Sequence, residues 1–285
     1  MYRTHQSPRL QDLGVDALWD YADYRPQHAY EQILPAGTVE LIILLGDSWR
    51  PDRTQGLEPI EGGWQPGFVV GPYTRSFMVD TLRQRSCMGA HISLGCAAAL
   101  FRLRIADIRE RHIGLEQLWG TAARSLQEHL SDMSTPQQRL QVLEQHLLQY
   151  ARPRNRPPSF LAPCLNRLRH CPNQRIDTLV SLSGHSERHF IHTFQQHVGL
   201  APKSLQRILR FQQAVRLLRK SQASLASIAL DCGYCDQAHL HREVRTLGGR
   251  TPSQYRQEPA WSGIPEPERG QICPIPGSSW PQDPA

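Results

Sequence analysis

The chain has 285 residues, 39% of them hydrophobic and 20% charged, with a formal net charge of +6. That is room for two domains of ordinary size and too much apolar content for a disordered chain. No run approaches the roughly 20 apolar residues of a membrane span and no signal-peptide core opens the chain, so a cytoplasmic protein with no membrane partner is expected.

The first 150 residues carry 14 Lys and Arg against 17 Asp and Glu, a net of −3. Within them, residues 39–45, 68–70, 77–82 and 88–92 are short β-type runs, with Gly, Pro and Asp clustered between the earlier ones, which predicts a β-rich sandwich or barrel. Over 96–151 the period becomes helical. Leu100, Leu103 and Ile108 come first, then Leu115 and Leu118, then Leu140, Leu143, Leu147 and Tyr150 on one face. His91 has no His-x-His partner in this half, so it reads as a core or pocket-wall residue; no metal, no cofactor and no catalytic residue is expected. Residues 152–158, with prolines and three arginines, read as a solvated linker.

Residues 151–256 reverse the charge, with 17 Lys and Arg against 5 Asp and Glu, a net of +12. A concentrated positive region is the footprint of a nucleic-acid binder, because each neutralised phosphate releases condensed counterions. A solvated Arg-rich helical surface would give the same count, so pattern has to decide. It does so by repetition, since one helical pattern occurs twice at an offset of 50 residues, Ser186 matching Asp236. In the first copy Ile176, Leu179 and Leu182 form a stripe, Ser183-Gly184-His185 breaks it, and Phe190, Phe194 and Val198 form the next. In the second, Leu225, Ile228, Ala229 and Cys232 are followed by Gly233-Tyr234-Cys235 and then by Leu240, Val244 and Leu247. Each copy reads as a helix-turn-helix, with Ser186 or Asp236 as N-cap and Gly199 or Gly248-Gly249 as the stop. Residues 203–220 contain no Gly or Pro and predict one connecting helix, a strut roughly 25 Å long that suits the ~34 Å spacing of successive major grooves.

Here the residues carry a resemblance. The run Ser224-Leu-Ala-Ser-Ile-Ala-Leu-Asp-Cys-Gly-Tyr-Cys-Asp-Gln-Ala-His-Leu-His-Arg-Glu-Val-Arg, with Gly249-Arg-Thr-Pro-Ser-Gln-Tyr-Arg256 beyond it, resembles the signature of the AraC/XylS family of bacterial transcription regulators. The resemblance implies seven helices in one rigid module, with a helix of each unit in consecutive major grooves of double-stranded DNA and RNA polymerase as a further partner. Val244 stands where the family usually carries Phe, a smaller plug that predicts a less tightly packed second unit, and His192 stands where Arg or Lys is frequent. The order of strands then helices resembles the cupin-like sensor domains that precede such modules, through Pro-Ala-Gly-Thr-Val-Glu-Leu-Ile at 35–42, Phe68-Val-Val-Gly71 and Leu118-Trp-Gly120. Leu94-Gly95 replaces the Pro-Gly turn of that branch.

Opposite the buried stripes lie Glu187, Arg188, Ile191 and His192 in one helix and Gln237, Ala238, His239, His241 and Arg242 in the other. The DNA-binding set taken from this reading and the resemblance is Ser186, Arg188, Ile191, His192, Asp236, Gln237, His239 and Arg242. Arg suits the O6/N7 edge of guanine, Gln suits adenine and Ile can meet a thymine methyl. Cys232 and Cys235 have the spacing of a zinc or redox half-site, but Cys232 also completes an apolar stripe and reads as packing; seven cysteines in all, without framework spacing, favour free thiols.

The expected fold class is therefore α+β: a β-rich, cupin-like N-terminal domain with accompanying helices (1–151), a linker (152–158), an all-α domain with two helix-turn-helix units (159–258) and a Pro-, Gly- and Ser-rich tail (259–285) expected to be disordered. The expected function is an activator-type transcription regulator rather than an enzyme. Its N-terminal half senses a small-molecule effector or forms a homodimer. A metal-dependent cupin-type enzyme or a DNA-repair enzyme fused to a DNA reader is the alternative, although Cys87 and Cys96 have no repair motif around them.

Overall fold

Strands that bury both faces dominate the N-terminal half. The computed structural model describes residues 2–46, 60–61, 66–81, 84–101, 103–150, 156–257 and 271–274. Strands β1 (Tyr2–His5), β2 (Val15–Ala22), β3 (Tyr30–Leu34), β4 (Val39–Leu44), β5 (Ile60–Glu61), β6 (Gly67–Val70), β7 (Phe77–Asp80), β8 (Ser86–Ile92), β9 (His112–Gly114) and β10 (Gln271–Pro274) form two sheets. The larger runs β1-β2-β8-β4-β6-β9-β5 and the smaller β10-β3-β7. Short helix α1 (Pro8–Gln11) links β1 to β2, and α2 (Ala97–Phe101), α3 (Leu115–Trp119), α4 (Thr121–Asp132) and α5 (Pro136–Tyr150) follow the late strands.

Register sorts the side chains of the large sheet. Leu18, Leu41, Val69, Met88, Ala90 and Ile92 share one core with Leu100, Leu126, Leu130, Leu143 and Leu147 of the helices. Their neighbours along each strand, Trp19, Tyr21, Leu44, Phe68, Val70 and Cys87, belong to a second, aromatic core with Tyr73 and Phe77, against which Ile33 and Val79 of the small sheet pack. Asp20, fully buried, accepts hydrogen bonds from Arg139 Nε (2.7 Å) and Nη2 (3.0 Å) and so ties β2 to α5. Removing either partner would strand a buried charge.

The helical half holds α6 (Leu161–His170), α7 (Ile176–Ser183), α8 (Glu187–Val198), α9 (Pro202–Lys220), α10 (Leu225–Asp231), α11 (Gln237–Gly248) and α12 (Pro252–Gln257). These are seven helices among the described residues, and they surround two separate cores. Leu205 and Ile208, from the first half of α9, enter a core with Phe190, Phe194 and Leu179. Phe211, Ala214, Val215 and Leu218, from its second half, enter a core with Leu240, Val244 and Tyr255. The 19-residue α9 is thus a strut of roughly 28 Å shared by both units.

Three differences from the sequence reading stand out. The sheets begin at Tyr2, well before residue 39, because β1 and β2 belong to the larger sheet and β3 to the smaller. Within the tail expected to be disordered, Gln271–Pro274 runs antiparallel to β3, Ile272 opposite Ile33. Strand addition to an open edge works through main-chain groups, which a composition argument does not count. The two halves also share an interface: Leu34 of β3 enters the second helical core and Leu94 the first. The reading of 152–155, of residue 82 and of most of the tail falls outside the described residues.

Candidate nucleic-acid interface

Each unit presents one capped helix. Ser186 Oγ accepts from His189 N–H at 3.3 Å to start α8, and Asp236 Oδ1 accepts from His239 N–H at 2.6 Å to start α11. Both helices end on a left-handed glycine, Gly199 at φ +78° and Gly249 at φ +71°, where a side chain would be strained. Phe190, Phe194 and Val198 bury one face of α8, and Leu240, Val244 and Leu247 bury one face of α11. Val244 stands where the sequence reading expects looser packing. It is fully buried, and Phe211 and Tyr255 share its core, with Tyr255 Oη donating to Gly248 O at 2.8 Å.

The opposite faces carry the polar residues. Arg188 and His192 on α8 and Gln237 and Arg242 on α11 are exposed, as are the caps Ser186 and Asp236. The structure therefore brings most of the expected set together as two matching exposed rows, each at the N-terminal part of a buried helix. Ile191 and His239 differ. Ile191 is half-buried against the core of its own unit. His239 is half-buried beside Tyr234, and its Nδ1 accepts from Cys235 N–H at 3.4 Å, which leaves its proton on Nε2 as a donor.

The strut and the second unit are locked by charge. Arg207 of α9 donates to both carboxylate oxygens of Glu243 at 2.8 and 2.9 Å, and this pair holds the Glu243 carboxyl below its ordinary range. The one acidic side chain of α11 is thereby neutralised. Arg210 donates to Gly233 O at 3.1 Å and lies 5.5 Å from the centroid of Tyr234, fixing the turn before α11. The units also touch directly, since a β-carbon on Gly233 would collide with Asn173.

Sequence reasoning missed the residues that meet the far ends of these helices. Gln32 Nε2, on β3, donates to Gly248 O at 2.9 Å and to Ser76 Oγ at 2.8 Å, and Ser76 N–H donates to Leu247 O at 2.8 Å. At the end of α8, a β-carbon on Gly199 would lie 2.7 Å from Pro72 Cγ and 2.8 Å from Ile105 Cγ2. No sequence signal pointed to these contacts, because each joins residues far apart in the chain.

The aromatic core of the N-terminal half is a second region with unusual chemistry. Ala17, His91, Glu40, Val70 and His112 form one row across five strands, and Trp19, Gly89, Ile42, Phe68 and Gly114 form the next. His91 Nδ1 lies 2.6 Å from Glu40 Oε2, which raises the His91 pKa against the burial that lowers it. His112 stacks on Phe68, and burial pushes its pKa down to about 4. Trp19 Nε1, Tyr21 Oη, His91 Nε2 and His112 Nε2 are buried and make no hydrogen bond. Among the described residues no cluster of three or more His, Cys, Asp or Glu is placed to hold a metal, and no helix is long and apolar enough to cross a membrane. Burial raises the Cys232 thiol to about 11 and keeps it in packing, while Cys235 is exposed.

Comparison with known proteins separates the same two regions. Residues 179–258 match the model of a helix-turn-helix domain, and residues 3–114 match that of a domain of unknown function, DUF6597. An uncharacterized HTH-type transcriptional regulator of Haemophilus influenzae is 39% identical over 82 residues, 29% of this chain and 28% of that protein. The chain thus spans less than a third of that relative's length. Among solved structures, the DNA-binding domain of AdpA in complex with a target DNA is 31% identical, covering 35% of this chain and 91% of that one, with a TM-score of 0.33. A probable AraC family transcriptional regulator from Rhodopseudomonas palustris is 25% identical, covering 35% and 96%, also with a TM-score of 0.33. With its duplicated, capped and strut-linked units, the C-terminal part of this chain is a helix-turn-helix domain over residues 179–258, similar in sequence to those of bacterial transcription regulators.

Proposed function

We propose that the whole chain is a sequence-specific transcription regulator that reads two successive major-groove segments of double-stranded DNA. One observation carries the reading: two helices with matching caps expose Arg188 and His192 on one and Gln237 and Arg242 on the other, on a module of net charge +12. Arg188 and Arg242 suit guanine and Gln237 suits adenine, while Ser186 and Asp236 hold the helix starts that face the groove. Ile191 offers a thymine methyl only its outward edge, and His239 contributes through Nε2. A DNA target implies work in the cytoplasm, with RNA polymerase as the further partner of an activator.

The N-terminal half, in this reading, is a cupin-like sensor for a small molecule. Its support is the aromatic interior where Trp19 Nε1, Tyr21 Oη and His112 Nε2 lack partners, since buried polar atoms are ordinarily satisfied and a ligand would satisfy them. Homodimer formation through this half is the second reading.

The test is selection of duplexes by the full chain from a random-sequence pool, followed by titration of the Arg242→Ala variant. That change should cost about 1–3 kcal/mol on the selected duplex and much less on a scrambled one at the same salt. Equal losses on both would reassign Arg242 to phosphate contact, and a pool from which nothing is enriched would sink the DNA-binding reading.

A further inference from the structure

The two recognition helices are held at both ends of the module by different means. On their own side, among the described residues, α9 enters both cores and Asn173 meets Gly233, while the two cores are separate clusters. On this side their separation and tilt depend on one helix, α9, and on the bonds that Arg207 and Arg210 make from it to the second unit.

The N-terminal half meets both units at equivalent points of the repeat. Gly199 and Gly249, 50 residues apart and both C-terminal stops, lie against opposite ends of one short segment between β6 and β7. Pro72 abuts Gly199, and four residues later Ser76 binds the end of α11. Gln32 adds its donor to Gly248 O, and a β-carbon on Gly249 would lie 3.0 Å from Gln32 Nε2. Each helical core also receives one leucine from the N-terminal half, Leu94 in the first unit and Leu34 in the second. The exposed residues at the starts of α8 and α11 stay clear of these contacts. The arrangement braces the helices from behind their proposed reading ends.

We propose that the N-terminal half is a second brace between the two recognition helices, and that Gln32, Leu34, Pro72 and Ser76 are positioning residues that set which half-site spacing the chain accepts. This rests on the DNA-reading function above. The bonds from Gln32 and Ser76 end on carbonyls of the last turn of α11, so they fix that helix along its axis without touching its groove face. The same segment carries Tyr73, whose ring lies 4.4 Å from Phe77 and 5.5 Å from His112 by centroid. The brace is therefore built on the wall of the aromatic interior.

The test uses the full-length chain and a duplex selected by it from a random pool, remade with the half-sites moved by one base pair in either direction. Wild type should lose about tenfold or more in affinity for each one-pair shift, because rigidly held modules lose simultaneous engagement when geometry fails. The Gln32→Met/Leu34→Ala variant, which removes two side-chain contacts of the brace with the second unit, should lose only about threefold or less across the same set while keeping a single half-site unchanged. Gln32→Met alone is the milder companion should the double variant not fold, and it should flatten the profile in the same sense. A folded variant with the wild-type spacing profile would overturn the brace. A wild-type chain that selects no duplex would instead overturn the DNA-reading function on which it depends, and the two failures are read from different proteins.

Discussion

The two helix-turn-helix units share their punctuation and differ in what fills and fastens them. Ser186 and Gly199 bracket α8 as Asp236 and Gly249 bracket α11, so the backbone path is duplicated. The first unit is packed with Phe190 and Phe194 and meets the N-terminal half through the side chains of Pro72 and Ile105. The second uses smaller Leu240 and Val244, borrows Phe211 and Tyr255 from flanking helices, and is fastened by hydrogen bonds from Gln32, Ser76 and Arg207. Caps and stops are thus what the two units share, while the residues that fill their cores differ.

The largest break in this comparison should come from the core. Phe194→Ala removes a fully buried ring from the first unit and should cost about 3–5 kcal/mol of stability, read by denaturant titration. Hydrogen exchange on the same variant should show the loss in α7 and α8 before α10 and α11, because the cores are separate. Uniform loss over both units would mean that they unfold as one.

The caps should give a smaller and nearly matched pair of effects. Ser186→Ala and Asp236→Ala should each cost about 1 kcal/mol, as loss of an N-cap generally does. Asp236 should cost more, since its bond to His239 N–H is 2.6 Å against 3.3 Å at Ser186 and its charge favours the helix start. Equal thermal shifts for the two would remove that distinction.

Acid should separate the units by the smallest margin. Burial lowers the His197 pKa below the ordinary imidazole value of 6.5. The unfolded chain therefore takes up a proton there that the folded chain refuses, and the first unit loses stability as pH falls below about 6.5. In the second unit Arg207 holds the Glu243 pKa below 4.5, so its contribution is present above that value and is lost only as pH falls through the lower folded pKa. Hydrogen exchange between pH 7 and 5, about the range over which the imidazole titrates, should show α8 loosening while α11 holds. The reverse order would contradict both assignments.

Legibility in the sequence followed the same division. The helical module was readable because Gly, Pro and capping residues mark its boundaries and a single apolar stripe marks each helix, so positions such as Asp236 and Gly249 could be named from spacing alone. Most of the candidate DNA-facing residues are where those stripes place them, with Ile191 drawn inward because its side chain also serves the core. Strands β2 and β3 were hidden because both of their faces are buried: Asp20 sits opposite an arginine inside the fold, and Gln32 and Leu34 face the helical half while Ile33 faces the aromatic core. Alternation signals a strand only when one face meets water. The brace was unreadable for a simpler reason, since Gln32 and Gly248 are brought together by the fold and by nothing local.

The central claim is that both recognition helices engage one face of DNA together, about one helical turn apart. Inserting about 5 bp between the two half-elements of a selected duplex rotates one of them to the opposite face of the helix. A binding titration of the full chain at fixed salt should then fall to the affinity of a single half-site, because simultaneous engagement is lost. Affinity unchanged by the insertion would mean that one unit alone reads DNA.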